Sequence, residues 1–136
     1  EKEIFPYIIE NGMGVLVRGP LAMGILTGKF SRDTRFEDGD FRQRWIENDS
    51  ENQIFLDDLE KVEKLRPLTN DRSMAQLAIQ FVLQHPAVTV AIPGAKRISQ
   101  LKDNLKAALL PSLTGEELQL IDSITPPGGG RKIWPA

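Results

Sequence analysis

With 136 residues the chain has the length of one domain, and 40% hydrophobic with 26% charged residues is the composition of a globular chain. A net charge of −2 gives no overall positive field for nucleic acid, and the absence of cysteine excludes disulfides, thiolate nucleophiles and thiolate-bound zinc. The apolar runs are too short to span a bilayer and no basic-then-apolar leader opens the chain, so a cytoplasmic protein without membrane or nucleic-acid partners is expected.

The first residues, Glu1 to Gly12, read as a helix with Ile4, Phe5, Ile8 and Ile9 on one face and Asn11-Gly12 as its stop. Pro6 fits there only in the first turn. With neither an N-cap nor an initiator Met before it, this reads as a chain with an upstream portion. Gly14-Val15-Leu16-Val17 is a short continuous apolar run, the pattern of a strand buried on both faces. Arg18 to Phe30 holds three glycines and a proline, which predicts a loop closely approached by something. Ser31 to Arg44 is polar and aperiodic, a long loop of the kind that carries function or moves.

Three capping patterns place helices. Ser50-x-x-Gln53 opens one that runs to about Arg66, with Phe55, Leu59 and Val62 inward and Pro67 as its stop. Ser73-x-x-Gln76 opens a second, with Leu77, Ala78, Phe81 and Val82 inward and His85-Pro86 at its end. Val88 to Ile92 is a strand by its β-branched residues. Pro93-Gly94 turns the chain, Lys96-Arg97 follows, and a helix carries Ile98, Leu101, Leu105 and Ala108 on one stripe. Thr114-x-x-Glu117 opens the last helix, with Leu113 and Leu118 spaced as a hydrophobic staple. Pro126 to Ala136 reads as loop or disorder.

The stretch from Val90 to Asn104 is the most informative. A strand, a tight turn, two cations and a helix start bring N–H groups and positive charge to one place, which favours a phosphate. In isolation Lys96-Arg97 would be a solvated helix start; the turn before it and Asn104 after it favour the functional reading. Strands alternating with helices imply parallel pairing. Two parallel strands alone leave open edges, so the chain reads as a piece of a larger sheet or barrel.

Arg18-Gly19-Pro20-Leu21-Ala22-Met23-Gly24-Ile25-Leu26-Thr27-Gly28-Lys29 resembles the loop after the seventh strand of aldo-keto reductases. Ile92 to Arg97, with Gln100, Asp103 and Asn104, resembles that family's eighth strand and coenzyme-phosphate loop. The resemblance runs over essentially the whole chain. It implies an α/β fold, the C-terminal part of a (β/α)8 TIM barrel, incomplete on its own. It implies NADP as cofactor, with NAD possible, and reduction of aldehydes or ketones by hydride transfer. The partners implied are a small-molecule carbonyl substrate and a missing N-terminal half of the barrel.

The same resemblance assigns residues. Gly19, Pro20, Leu21 and Ala22 would lie along pyrophosphate and nicotinamide ribose, Gly24 and Leu26 would shape the turn, and Lys29 would pair with phosphate charge. Gly94 and Ala95 would offer backbone N–H groups where many members have Lys-Ser. Lys96 and Arg97 would face the adenosine 2′-phosphate. Gln100 stands where many members have Arg, Asn104 would bond the adenine edge, and Asp103 replaces a more usual Glu. Arg18 replaces an aromatic ring that stacks on nicotinamide; a planar guanidinium can also stack.

The family's catalytic Asp, Tyr, Lys and His come from earlier strands, so no catalytic residue is assigned here and these 136 residues alone are expected to be inactive. Tyr7 has the wrong context for a proton donor, and His85 reads as a helix-end residue favoured by the dipole. The pairs Asp57-Asp58 and Glu116-Glu117 read as solvated helix faces. Trp45 and Trp134 could line a substrate pocket or anchor packing. Two other readings stand beside the reductase: a non-catalytic nucleotide-sensing or regulatory barrel module, and a half-barrel that pairs with a second copy.

Overall fold

The computed structural model describes residues 2–126; the predicted loop at 127–136, with Trp134, lies outside them. The elements are α1 (Ile4–Glu10), β1 (Leu16–Arg18), a 3₁₀ turn (Ala22–Thr27), α2 (Arg44–Glu47), α3 (Asp49–Leu65), α4 (Met74–Leu83), β2 (Val90–Ile92), α5 (Ile98–Lys106) and α6 (Gly115–Ile124). Their order matches the expected one, with short turns added. The fold is α/β with a small, unclosed parallel sheet, in which Leu16, Val17 and Arg18 pair with Val90, Ala91 and Ile92.

The capping chemistry explains the helix starts. At α4 the Ser73 hydroxyl accepts from the Gln76 N–H while the Gln76 side chain accepts from the Ser73 N–H. Thr114 and Glu117 do the same at α6. The start of α3 differs from the prediction. Its cap is Asn48, whose Oδ1 accepts from the N–H groups of Ser50 and Glu51 at 3.1 Å each. Asn and Ser cap equally well; Asn48 is favoured because Asp49 and Glu51 then both lie in the first turn, where the dipole stabilises them.

The core lies between α3, α4 and α6. Phe55, Leu59 and Val62 are buried as expected, with Leu65, Met74, Leu77, Leu113 and Ile121 against them. Trp45 and Phe55 are its largest fully buried side chains, so Trp45 is a packing anchor. Around them Phe36 sits edge-on to Trp45 with ring centres 5.8 Å apart, and Phe30 edge-on to Phe36 at 5.3 Å. The 31–44 segment is therefore held by aromatic contacts, and near its end Phe41–Gln43 form a 3₁₀ turn and Arg44 opens α2, rather than plain loop.

Three expected burials fail in the same direction. β1 is not covered on both faces: Val17 is half-buried while Leu16 is 66% exposed. The α5 stripe faces outward, with Ile98, Leu101 and Leu105 exposed, while Asn104 and Ala107 are the inward residues. Phe81 and the α1 residues Ile4 and Ile9 are also exposed. The strands are shorter than predicted too, although Thr89 and Val90 both donate to the Val15 carbonyl just ahead of the ladder. No helix among the described residues is long and apolar enough to cross a membrane.

Candidate functional site

Because Arg18 pairs with Ile92 in a parallel register, the segments following β1 and β2 leave the sheet at the same end. Alternation along the strands turns Val17 and Ala91 to the α4 side, where Ala91 packs against a buried cluster that includes Ala75, Ala78 and Ile79. Ile92 then faces the open side. Both predicted motifs thus converge at one end of the sheet.

The turn after β1 is tightly built. Gly19 has φ +73°, and Ala22, Met23 and Gly24 follow with φ +46°, +55° and +104°. Left-handed backbone at two non-glycine residues costs roughly 1–3 kcal/mol each, so the surroundings must hold it. Pro20 and Leu21 are buried beneath the turn. Ala22 donates to the Gly19 carbonyl and Gly24 to the Leu21 carbonyl, while the Thr27 hydroxyl donates to the Gly24 carbonyl at 2.6 Å. A side chain at Gly24 would meet the Phe30 ring at 3.0 Å and Arg42 Nη1 at 3.3 Å. Leu26 is half-buried in the core, and Lys29 is exposed beyond the turn.

At the β2 end, Gly94, Ala95, Lys96 and Arg97 are exposed. With Pro93, Ile98 and Leu101, the last three of these line an open pocket. Gln100 reaches back over the helix start, where its Oε1 accepts from the Lys96 N–H at 2.8 Å and the Arg97 N–H at 3.1 Å. An internal acceptor thus satisfies two of the donors at this helix start, which shifts anion attraction towards the Lys96 and Arg97 side chains. Asn104 is buried, and its amide donates to the Gly94 carbonyl at 3.4 Å, bracing the turn.

Asp103 is not brought to this pocket. Its carboxylate accepts from the Ser73 hydroxyl at 2.8 Å and the Gln76 amide at 2.8 Å, tying α5 to the start of α4. The Gln76 amide also donates to the Asp103 carbonyl at 3.0 Å. Sequence reading also missed the guanidinium of Arg72, nearly buried between Gln80 at 2.9 Å and Glu117 at 3.7 Å. Both networks join residues far apart in the chain, and no local spacing announces them.

Arg42 is the other residue the motifs did not show. Its Nη1 donates to the Met23 carbonyl at 3.0 Å and its Nε to Asp40 at 2.9 Å. The Arg42 guanidinium beside Asp40 holds that carboxyl at about 2, below its ordinary 3.8, with a smaller contribution from the charge of Lys96. Asp40 in turn raises Arg42. The 31–44 segment thus comes within electrostatic reach of Lys96 as well as touching the turn after β1.

Other candidates stay structural. The His85 Nδ1 accepts from the Ala87 N–H at 3.2 Å, and its ring lies 4.5 Å from Phe5, docking α1. Tyr7 is exposed. Asp57 accepts from Gln53 on its own helix. An apolar cavity of about 330 Å³ lies between the end of β1, α4 and α6, and Arg18, Gly19, Pro20, Ala22 and Leu26 of the turn after β1 are among the residues that line it. Among the described residues no cluster of three His, Asp or Glu could hold a metal.

The profile of the aldo/keto reductase family matches residues 1–126. The chain belongs to the aldo/keto reductase family. It is 34% identical to a probable voltage-gated potassium channel subunit beta of Arabidopsis thaliana, over 91% of this chain and 39% of the relative. It is 31% identical to the NADP(+) aldo-keto reductase yakc of Schizosaccharomyces pombe, over 92% of this chain and 39% of that one. Among solved structures, it superposes on the glycerol dehydrogenase of Gluconobacter oxydans with a TM-score of 0.72 and 30% identity, covering 99% of this chain and 42% of that one. The holo aldo-keto reductase of Bacillus halodurans gives a TM-score of 0.60 at 30% identity, covering 90% and 37%. The chain therefore spans about two fifths of the length of these relatives.

Proposed function

We propose that these residues form the coenzyme-holding C-terminal part of a (β/α)8 aldo-keto reductase barrel that uses NADP(H) to reduce a small carbonyl compound. The observation that carries this is the Arg18–Ile92 register, which brings both family-like loops to one end of the sheet, where barrel folds build their active sites. The residues present fit a phosphorylated dinucleotide. Two exposed cations follow a braced Pro-Gly turn, and a compact glycine-containing turn leaves the neighbouring strand at the same end.

When bound, the coenzyme supplies the hydride donor. The chain's own residues bind and orient it. Lys96 and Arg97 take the adenosine phosphate by charge-assisted bonds, and Asn104 keeps the Gly94 turn in shape. Gly19 to Gly24 form a compact floor, with Arg18 beside it, and Lys29 adds positive charge. Asp103 serves by fixing α5 on α4, so that the basic pair has a rigid base. Fixing coenzyme and substrate together contributes to rate through proximity. The acid–base residues lie elsewhere in the barrel, and the 136-residue chain alone gives no turnover of NADPH with an aromatic aldehyde; turnover above background would refute that.

The test is titration of the full-length barrel protein with NADPH and NADH. Saturable binding with preference for the phosphorylated form is expected, and no binding of either refutes the reading. A second reading, a regulatory barrel module without catalysis, is favoured by the likeness to a probable channel subunit beta. The two separate on turnover: coenzyme binding with carbonyl reduction supports the enzyme, and binding without reduction supports the module.

A further inference from the structure

We propose that Arg42 is a positioning residue for the coenzyme turn, acting through the Met23 carbonyl rather than on the coenzyme; the proposal rests on the coenzyme reading above. The guanidinium is engaged on both sides of its fork. Nε and Nη2 donate to the two carboxylate oxygens of Asp40, and Nη1 donates to the Met23 carbonyl 19 residues back along the chain. Its central carbon lies 4.8 Å from the Phe36 ring centre and 5.5 Å from that of Phe30, and Phe36 rests on fully buried Trp45. The charged head is therefore fixed by an aromatic floor that belongs to the core.

What it holds is the strained part of the turn. The left-handed conformation of Ala22, Met23 and Gly24 presents the Met23 carbonyl to Arg42. Peptide planarity links that carbonyl to the Gly24 N–H, which donates to Leu21 at 2.9 Å. Fixing one oxygen thus fixes the tilt of the whole Leu21–Gly24 segment. Gly24 and Arg42 are matched, since a Cβ at Gly24 would press on Nη1 as well as on the Phe30 ring. A lysine ammonium, a point charge, cannot bridge carboxylate and carbonyl while lying flat on the rings.

Without Arg42 the turn relaxes and both coenzymes lose affinity by the same factor, because the adenosine-phosphate contacts lie on the other loop. Glycine adopts positive φ without strain, so Met23→Gly restores the turn when its clamp is gone. The experiment measures NADPH and NADH affinity by protein-fluorescence quenching in the full-length protein, with thermal melting alongside. The variants are Arg42→Lys, Arg42→Ala and Arg42→Ala/Met23→Gly. The single variants are expected to weaken both coenzymes about tenfold with their ratio unchanged, and the double variant to return within about threefold of the parent.

Arg42 variants that melt lower yet bind normally overturn the proposal, as does a double variant no better than Arg42→Ala. If Arg42→Ala does not fold, Arg42→Lys with and without Met23→Gly makes the same comparison. A parent protein that binds neither coenzyme overturns the coenzyme reading itself, and this proposal with it.

Discussion

Replacing Lys96 and Arg97 together by alanine removes the cations from the β2–α5 turn while leaving its backbone braced. The size of the loss follows from the local geometry. Gln100 already occupies the N–H groups of both residues, at 2.8 and 3.1 Å, so the helix start offers fewer donors to a phosphate and the side chains carry the attraction. Both residues are exposed, which places their phosphate contacts near the weak end of charge-assisted bonds, about 1–1.5 kcal/mol each. Two such contacts amount to roughly a 30- to 150-fold loss of NADPH affinity. NADH lacks the 2′-phosphate and should change by less than about twofold, within the usual effect of surface substitutions. The assay is equilibrium titration of the full-length protein with both coenzymes between 0.1 and 1 M salt, over which screening shortens from about 10 Å to about 3 Å. The parent's preference for NADPH falls along the series and the double variant's stays flat. An unchanged NADPH-to-NADH ratio in the variant would refute the assignment of these two residues.

Further outcomes concern the scaffold. Gln76→Ala breaks its bonds to Ser73 and Asp103 and leaves the half-buried Asp103 carboxylate with the Ser73 hydroxyl as its remaining donor, so denaturant unfolding should show a loss of about 1–3 kcal/mol; an unchanged midpoint would mean that the Gln76 bonds carry no stability. Phe55→Ala opens a cavity beneath Trp45 and Phe36 and should cost about 3–5 kcal/mol by the same measurement, whereas a loss under 1 kcal/mol would show that this core is not packed as described. The Asp40 carboxyl is held at about 2, below its ordinary 3.8. Its contribution to stability is therefore complete above the ordinary value and lost as pH falls through about 2. The stability difference between the parent and Asp40→Asn should therefore shrink as pH falls from 3.8 to about 2, and a pH-independent difference would assign the effect to something other than ionisation.

Element order and the parallel pairing were legible because capping boxes and β-branched runs are local signals. Ser73 with Gln76 and Thr114 with Glu117 behave as their spacing dictates. The failures share one cause. Leu16, Ile98, Leu101 and Leu105 carry the pattern of buried residues yet are exposed, because periodicity reports which face is apolar and not whether a neighbour covers it. At the site, the two loops were legible as motifs, and the register of β1 with β2 brings them to one end. The Asp103–Gln76 tie, the Arg72 network and the Arg42 clamp were not legible. Each depends on a contact between segments at least eight residues apart, set by packing rather than by spacing.

The account rests on a coenzyme phosphate seated against the turn that follows β2. A crystal structure of the full-length protein with NADPH tests this directly. The 2′-phosphate within bonding distance of the Lys96 and Arg97 side chains, with the pyrophosphate beside Gly19 to Gly24, is the predicted result. Adenosine density anywhere else on the molecule would contradict it.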